Sequence, residues 1–177
     1  SGMCPTCEGL GIIQDFDLEK IIDPHLSIAE DCCAIASSYQ TVKWGNVYNN
    51  LATLYKFSVH TPWEKLSSSA QKIFLYGNQK KWTKMRFVHP EKKTVWTEYI
   101  QWRGILYEAK KRFSEAKSDV YRNKMGTLMH ETTCPECKGA RIKPYPAATK
   151  LGGKKIHELT QMTIEEVHCF LETLRLT

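Results

Sequence analysis

The sequence predicts an α+β fold: a mostly helical inserted domain with one β-hairpin, anchored on a four-cysteine metal module and followed by a short strand pair and a last helix. Three observations carry that prediction. Two Cys-Pro-x-Cys-x-Gly knuckles, Cys4 to Gly9 and Cys134 to Gly139, stand far apart in a chain of 177 residues. Between them, apolar residues recur at helical spacing in several short stretches flanked by capping or breaking residues. One segment, 83–99, departs from that pattern and holds two β-favouring runs around a turn-like His89-Pro90-Glu91-Lys92-Lys93.

Each element follows from local chemistry. Phe16 to Ile22 is a short amphipathic piece stopped by Asp23-Pro24. Asn46 to Tyr55 reads as a helix with Val47, Leu51, Leu54 and Tyr55 on one face. Thr61-Pro62-Trp63-Glu64 has the form of a helix start, with Thr61 as cap and Glu64 completing a capping box. Ser68 to Leu75 is a second short helix closed by Gly77. Met85, Phe87, Val95 and Trp96 mark the two arms of the hairpin. Trp102 to Ala116 is helical, with Trp102, Leu106, Ala109 and Phe113 apolar, and Ser118-Asp119 caps a helix from Val120 to Met129. Beyond the second knuckle, Ala147 to Leu151 reads as a strand, Gly152-Gly153 as a turn and Lys154 to Leu159 as the return. Thr163 to Glu166 is a capping box that opens a last helix carrying Val167, Phe170, Leu171 and Leu174.

Composition narrows the function. The chain is 42% hydrophobic, enough for one ordinary core or for a modest core plus an outlying module. It lacks the roughly 20 consecutive apolar residues of a membrane span and the charged-then-apolar opening of a secretory signal. Ser1-Gly2-Met3 reads as a cloning scar and is set aside. Seven cysteines, an odd number without a secretory signal, favour a reducing cytoplasm over a disulfide framework. Cys32, Cys33 and Cys169 read as small buried hydrophobes.

The knuckles carry the clearest chemistry. Cys4, Cys7, Cys134 and Cys137 supply four thiolates, which close a tetrahedral site with no open position, so a structural Zn2+ is expected. Gly9 and Gly139 suit tight turns that bring backbone amides towards the sulfurs. The 126 residues between the pairs make the metal a staple at the root of a long insertion. A redox pair, by contrast, usually occurs once beside a βαβ pattern.

Charge is uneven. Residues 79–124 hold 13 Lys and Arg against 5 Asp and Glu, a balance of +8, so the remainder of this +6 chain carries −2. The candidate phosphate contacts are Lys80, Lys81, Lys84 and Arg86, then Lys92 and Lys93, then Arg103, then Lys110, Lys111 and Arg112, interleaved with Trp82, Trp96 and Trp102. Cations release counterions from a phosphate backbone, and indoles stack on bases. Lysines on a helix equally suit a solvated face, and Trp equally suits a core. Gly152-Gly153-Lys154-Lys155 lacks the spacing and hydroxyl of a phosphate loop, and no metalloprotease or Ser-His-Asp pattern is present.

These residues resemble UvrA, the damage-recognition ATPase family of bacterial nucleotide excision repair. The likeness runs through Cys4 to Gly11, Asp23 to Glu30, Thr61-Pro62-Trp63, Leu75-Tyr76-Gly77, Cys134 to Pro144 and Gly153 to Ile156, in the family's order. It implies a zinc-stabilised insertion domain that helps to hold or sense damaged double-stranded DNA. The implied divisions are a first knuckle at 1–11, the insertion at 12–133, a second knuckle at 134–144, and the start of a signature region at 145–177. It implies partners in the rest of UvrA, its dimer mate and, through a domain outside this chain, UvrB. ATP would bind only the parent, so this fragment would have no catalysis of its own. Arg103, where an acid is expected, and Asp31-Cys32-Cys33, where small residues are usual, depart from the family. Two other readings are a co-chaperone-type zinc module, which needs four closely spaced repeats, and a structural insert that contacts only its parent. A thiol oxidoreductase would require redox-active pairs.

Overall fold

The computed structural model describes residues 2–78 and 81–174. The elements run β1 (Ile12–Phe16), α1 (Leu18–Ile21), α2 (Val42–Tyr55), α3 (Ser68–Tyr76), β2 (Trp82–Val88), β3 (Val95–Gln101), α4 (Ile105–Glu115), α5 (Asp119–Gly126), β4 (Met129–Thr133), α6 (Pro144–Ala147), β5 (Lys150–Leu151), β6 (Lys154–Lys155), α7 (Ile156–Leu159) and α8 (Ile164–Thr173). The strands form three two-stranded ladders, β1 with β4, β2 with β3 and β5 with β6, so the fold is α+β with helix predominant. The chain divides into two compact units, residues 1–15 with 130–177, and residues 16–129.

The unit from 16 to 129 owns the apolar core. Helix α2 begins at Val42, where the Thr41 hydroxyl accepts the Trp44 N–H. That start lies four residues before the expected Asn46, and the buried stripe is correspondingly Val47, Tyr48, Leu51 and Ala52. Leu54 and Tyr55, expected inside, are exposed. Tyr48 packs edge-on against Phe74 of α3 at 5.3 Å and Trp102 at 6.2 Å. Thr61 does not cap a helix: a single 3-10 turn, Trp63–Lys65, follows Pro62, and the true cap is Ser67, whose hydroxyl accepts the Ala70 N–H at the start of α3. Ser27 and Glu30 make a capping box that sequence reading passed over, both Ser27 donors reaching Glu30 Oε2 at 2.6 and 3.0 Å.

Trp102 stands before α4 and not in it. Gly104, at φ 88°, separates the two, and Gly77, at φ 82°, ends α3 against the same stretch. A Cβ on Gly104 would lie 2.3 Å from the Leu75 carbonyl oxygen, and one on Gly77 would lie 2.4 Å from the Trp102 carbonyl oxygen. Only glycine gives both the dihedral and the approach. Gly104→Ala is expected to cost at least about 1–3 kcal/mol from its conformation at φ 88° and ψ 158°, a region open essentially to glycine alone, and more from the backbone collision. Urea denaturation of the two proteins measures it; an unchanged midpoint would refute the crossing.

Helix α5 ends at Gly126, short of the expected Met129, because Met129 enters β4. After the second knuckle, the expected strand Ala147 to Leu151 is the end of helical turn α6 plus the two residues of β5, and Lys154 to Leu159 is β6 plus the turn α7. The α8 capping box is present, with Thr163 Oγ1 accepting the Glu166 N–H and Glu166 Oε2 accepting the Thr163 N–H. Cys169, expected inside, is exposed on this helix, whereas Cys32 and Cys33 are buried as expected. No helix among the described residues is long and apolar enough to cross a membrane.

Candidate functional site

Four cysteines meet in the unit formed by residues 1–15 and 130–177. The two knuckles have one backbone shape: Glu8 and Gly9 at φ 50° and 81°, Lys138 and Gly139 at φ 51° and 83°. Each left-handed pair turns the chain so that Leu10 N–H reaches the Cys7 carbonyl and Ala140 N–H the Cys137 carbonyl, both at 2.9 Å. The knuckles are tied edge to edge. Cys4 N–H donates to the Arg141 carbonyl at 3.0 Å, and Cys134 N–H to the Gly11 carbonyl at 2.9 Å.

The four sulfurs all lie within 4.8 Å of one another. Cys4 and Cys134 are 4.0 Å apart, and Cys7 and Cys137 are 3.6 Å apart. A tetrahedron of sulfurs around an ion at 2.3 Å has an edge of about 3.8 Å, which these two separations bracket. All four cysteines are buried and unbridged. The Gly11 N–H donates to Cys7 Sγ at 3.2 Å, so the glycine-rich turn does direct a backbone amide at a sulfur. Burial pushes the Cys7 thiol up, yet that amide and the neighbouring thiols outweigh it and bring the group down to about 7. Burial instead pushes the Cys137 thiol up to about 11. A bound cation stabilises every thiolate. The arrangement is a closed donor set able to hold a metal ion and leaving no coordination position for a substrate.

The other candidate residues lie in the unit from 16 to 129, and Lys84, Arg86, Lys92 and Lys93 belong to the hairpin β2–β3. Its register pairs Trp82 with Gln101, Lys84 with Tyr99, Arg86 with Thr97 and Phe87 with Trp96. One face turns inward: Met85 and Phe87 are buried, and the Phe87 and Trp96 rings stack at 5.5 Å. The other face presents Trp82, Lys84 and Arg86 from β2 and Thr97 and Tyr99 from β3, with no carboxylate among its positions. Helix α2 holds the outer edge of β2. The Asn50 amide accepts the Arg86 N–H at 2.9 Å and donates to the Arg86 carbonyl at 2.7 Å; Asn46 does the same for Val88, at 2.9 Å each. Two side chains therefore stand where a neighbouring strand would be.

The structure separates the expected basic residues. Lys81, Lys84, Arg86, Lys92, Lys93, Lys110 and Lys111 are exposed. Lys80 lies outside the described residues. Arg103 is half-buried, donates to Gln101 Oε1 and to the Tyr107 hydroxyl, and lies 4.7 Å over the Tyr107 ring. Arg112 turns inward, donating to Ser37 Oγ at 2.6 Å and to the Ile35 carbonyl, so its guanidinium ties α4 to the loop before α2. Its place on one helical run with Lys110 and Lys111 concealed that difference. Trp102 is buried in the core, and Trp96 is half-buried against Phe87. Sequence reading passed over Tyr99, whose signal is its alternation phase: it shares a face with Thr97, opposite Lys84.

A four-cysteine module carrying an inserted α+β lobe with a basic hairpin is the class that these features define. The chain belongs to the UvrA DNA-binding domain family, which its residues 17–127 match. UvrABC system protein A of Treponema pallidum is 34% identical over 180 residues, covering 99% of this chain and 18% of that protein. The protein of the same name from Neisseria gonorrhoeae is 31% identical over 176 residues, with the same coverage. That from Chlamydia muridarum is 32% identical over 171 residues, 97% of this chain and 10% of that protein. The chain thus spans 10–18% of these relatives. The fold is that of UvrA2 from Deinococcus radiodurans, with a TM-score of 0.70 at 19% identity, covering 97% of this chain and 22% of that one.

Proposed function

We propose that this chain is the DNA-contacting, damage-sensing insertion domain of a UvrA protein of nucleotide excision repair, pinned at its base by a structural zinc. The observation that carries the reading is the carboxylate-free face of the hairpin, bearing Lys84 and Arg86, inside the segment that matches the UvrA DNA-binding domain. In this reading residues 1–11 and 134–144 are the zinc knuckles, 12–133 the insertion, and 145–177 the start of the region that joins the parent. Cys4, Cys7, Cys134 and Cys137 hold the zinc, whose contribution is cross-linking and not chemistry. ATP hydrolysis, the dimer contact and the handover to UvrB belong to the parent protein, in the cytoplasm.

Lys81, Lys84 and Arg86, with Lys92 and Lys93 at the hairpin end, meet backbone phosphates, and Lys110 and Lys111 extend the positive surface. Such contacts position DNA without reading base edges. Selectivity for damage then comes from the deformability of the lesion-bearing duplex. Arg112 is left out of the contact set because its guanidinium is engaged within the fold.

Duplex affinity measured by fluorescence anisotropy across a salt series tests this reading. Charge reversal at Lys81, Lys84 and Arg86 together is expected to weaken binding at least about tenfold, and to flatten the log–log salt slope by about three, near one per lost phosphate contact. Salt-independent binding, or an unchanged slope in the variant, would overturn it.

A further inference from the structure

The same hairpin face carries two large aromatic side chains that packing does not explain. Trp82 is 65% exposed and Tyr99 is 66% exposed, whereas Met85 and Phe87 on the opposite face are buried. The register sets Tyr99 directly across from Lys84, which places Trp82, two residues before Lys84, diagonal to Tyr99. Diagonal positions on an antiparallel pair lie about 7–8 Å apart, close to twice the roughly 3.4 Å rise of a stacked nucleotide. Lys84 and Arg86 stand beside the pair on that face, and the one acid of β3, Glu98, falls in the opposite phase and accepts the Trp96 indole N–H.

The hairpin backbone that carries them is anchored at its Arg86–Val88 end. Asn46 and Asn50 fix β2 from one edge, and the Phe87–Trp96 stack fixes the hairpin from below. Trp and Tyr offer a large flat surface on only two side-chain torsions, so ordering them under a flat ligand costs little freedom. A flat apolar surface beside cations, with no carboxylate on its face, complements an unstacked base and its phosphate better than it complements a paired base, whose faces are hidden in the duplex.

We infer that Trp82 and Tyr99 form a stacking platform for unpaired bases, served by Lys84 and Arg86 on the adjoining phosphates, so that this domain prefers locally opened or single-stranded DNA to intact duplex. The inference rests on the DNA-contact reading above and adds the state of the DNA that this face takes.

Three probes test it with the whole 177-residue chain: a single-stranded thymidine oligonucleotide, a matched duplex, and the same duplex with a central unpaired bubble. The single strand and the bubble are expected to bind more tightly than the duplex. Trp82→Ala and Tyr99→Ala are each expected to weaken those two probes about five- to a hundredfold, and to leave duplex affinity within about twofold. Trp82→Phe restores most of the loss, and binding quenches a tryptophan emission component that is missing in Trp82→Ala. Both positions are exposed, so thermal midpoints should not move. Duplex binding that depends on Lys84 but ignores both aromatics on every probe overturns the platform alone and leaves the pair to a protein partner. Equal losses on all three probes also overturn it. Failure of the unmodified chain to bind any probe overturns the DNA-contact reading with it.

Discussion

Cys134→Ser is expected to reduce bound zinc from about one ion per chain to near none at micromolar free metal, and to unfold one unit while sparing the other. The reason lies in what each unit buries. Among the described residues of the unit formed by 1–15 and 130–177, only Cys4, Cys7, Gly11, Cys134, Cys137 and Ala140 are buried; α6, α7 and α8 contribute no fully buried residue. An interior of four sulfurs and one methyl group supplies almost no hydrophobic stabilisation at about 25 cal/mol per Å2. Small domains in that position depend on a metal, whose apparent binding free energy in zinc-finger peptides is about 10–16 kcal/mol near neutral pH. The unit from 16 to 129 instead buries Trp102, Tyr48, Phe74, Phe87 and Leu51 without help. Hydrogen exchange by mass spectrometry should show protection lost in the knuckle peptides and kept in α2 and α3. A chelator applied to the unmodified chain should reproduce the pattern, and acid should promote release because protons compete for the same sulfurs. A metal-free chain with protected knuckles would refute the prediction.

The second large effect is expected at Trp102. Its side chain is 1% exposed, and its indole N–H donates to the Ile73 carbonyl at 2.7 Å, a carbonyl that also accepts the Gly77 N–H at 3.0 Å. Its ring meets Trp44 at 6.4 Å and Tyr48 at 6.2 Å, both edge-on. Trp102→Ala should cost about 3–5 kcal/mol, the range for emptying a large aromatic site, and should lower the melting temperature of this unit by roughly 10–25 °C. Trp102→Phe isolates the hydrogen bond: it refills most of the cavity and forfeits one bond, at about 1 kcal/mol. Calorimetry on the three proteins separates the contributions; equal losses for Ala and Phe would mean that the cavity is not what matters.

Much of the fold and of the metal cluster was legible because the signals are local. A Cys-x-x-Cys pair places its own two sulfurs, the hydroxyl of Thr163 finds an amide three residues on, and Met85 and Phe87 declare a buried face by alternation. What escaped depended on distant partners. Nothing within Ile12–Phe16 announces pairing with Met129–Thr133, a segment more than a hundred residues away. Trp102 looked helical because its spacing to Leu106 and Ala109 fits a helix, and the interruption at Gly104 is imposed by the backbone of Leu75 and Gly77. Arg112 looked like its neighbours Lys110 and Lys111 until the fold brought the Ile35 carbonyl to it. Cys169 had an apolar neighbourhood in sequence, but the half-buried side of α8 runs through Val167, Phe170 and Leu174, one step around the helix.

The paired asparagines of α2 have a consequence for how this protein can vary. Residues one turn apart on a helix are separated by about 6 Å along its axis, and alternate residues of a strand by about 6.8 Å. Asn46 and Asn50 use that near-coincidence to grip Arg86 and Val88 as a ruler grips two marks. In most hairpins the connecting turn dictates which residues face which. Here the helix settles only how β2 lies against α2, and the turn closed by the His89 N–H on the Thr94 carbonyl at 2.9 Å still aligns β3 with β2. A single residue inserted between Arg86 and Val88 would break that spacing, and α2 could then keep only one of its two grips on the strand.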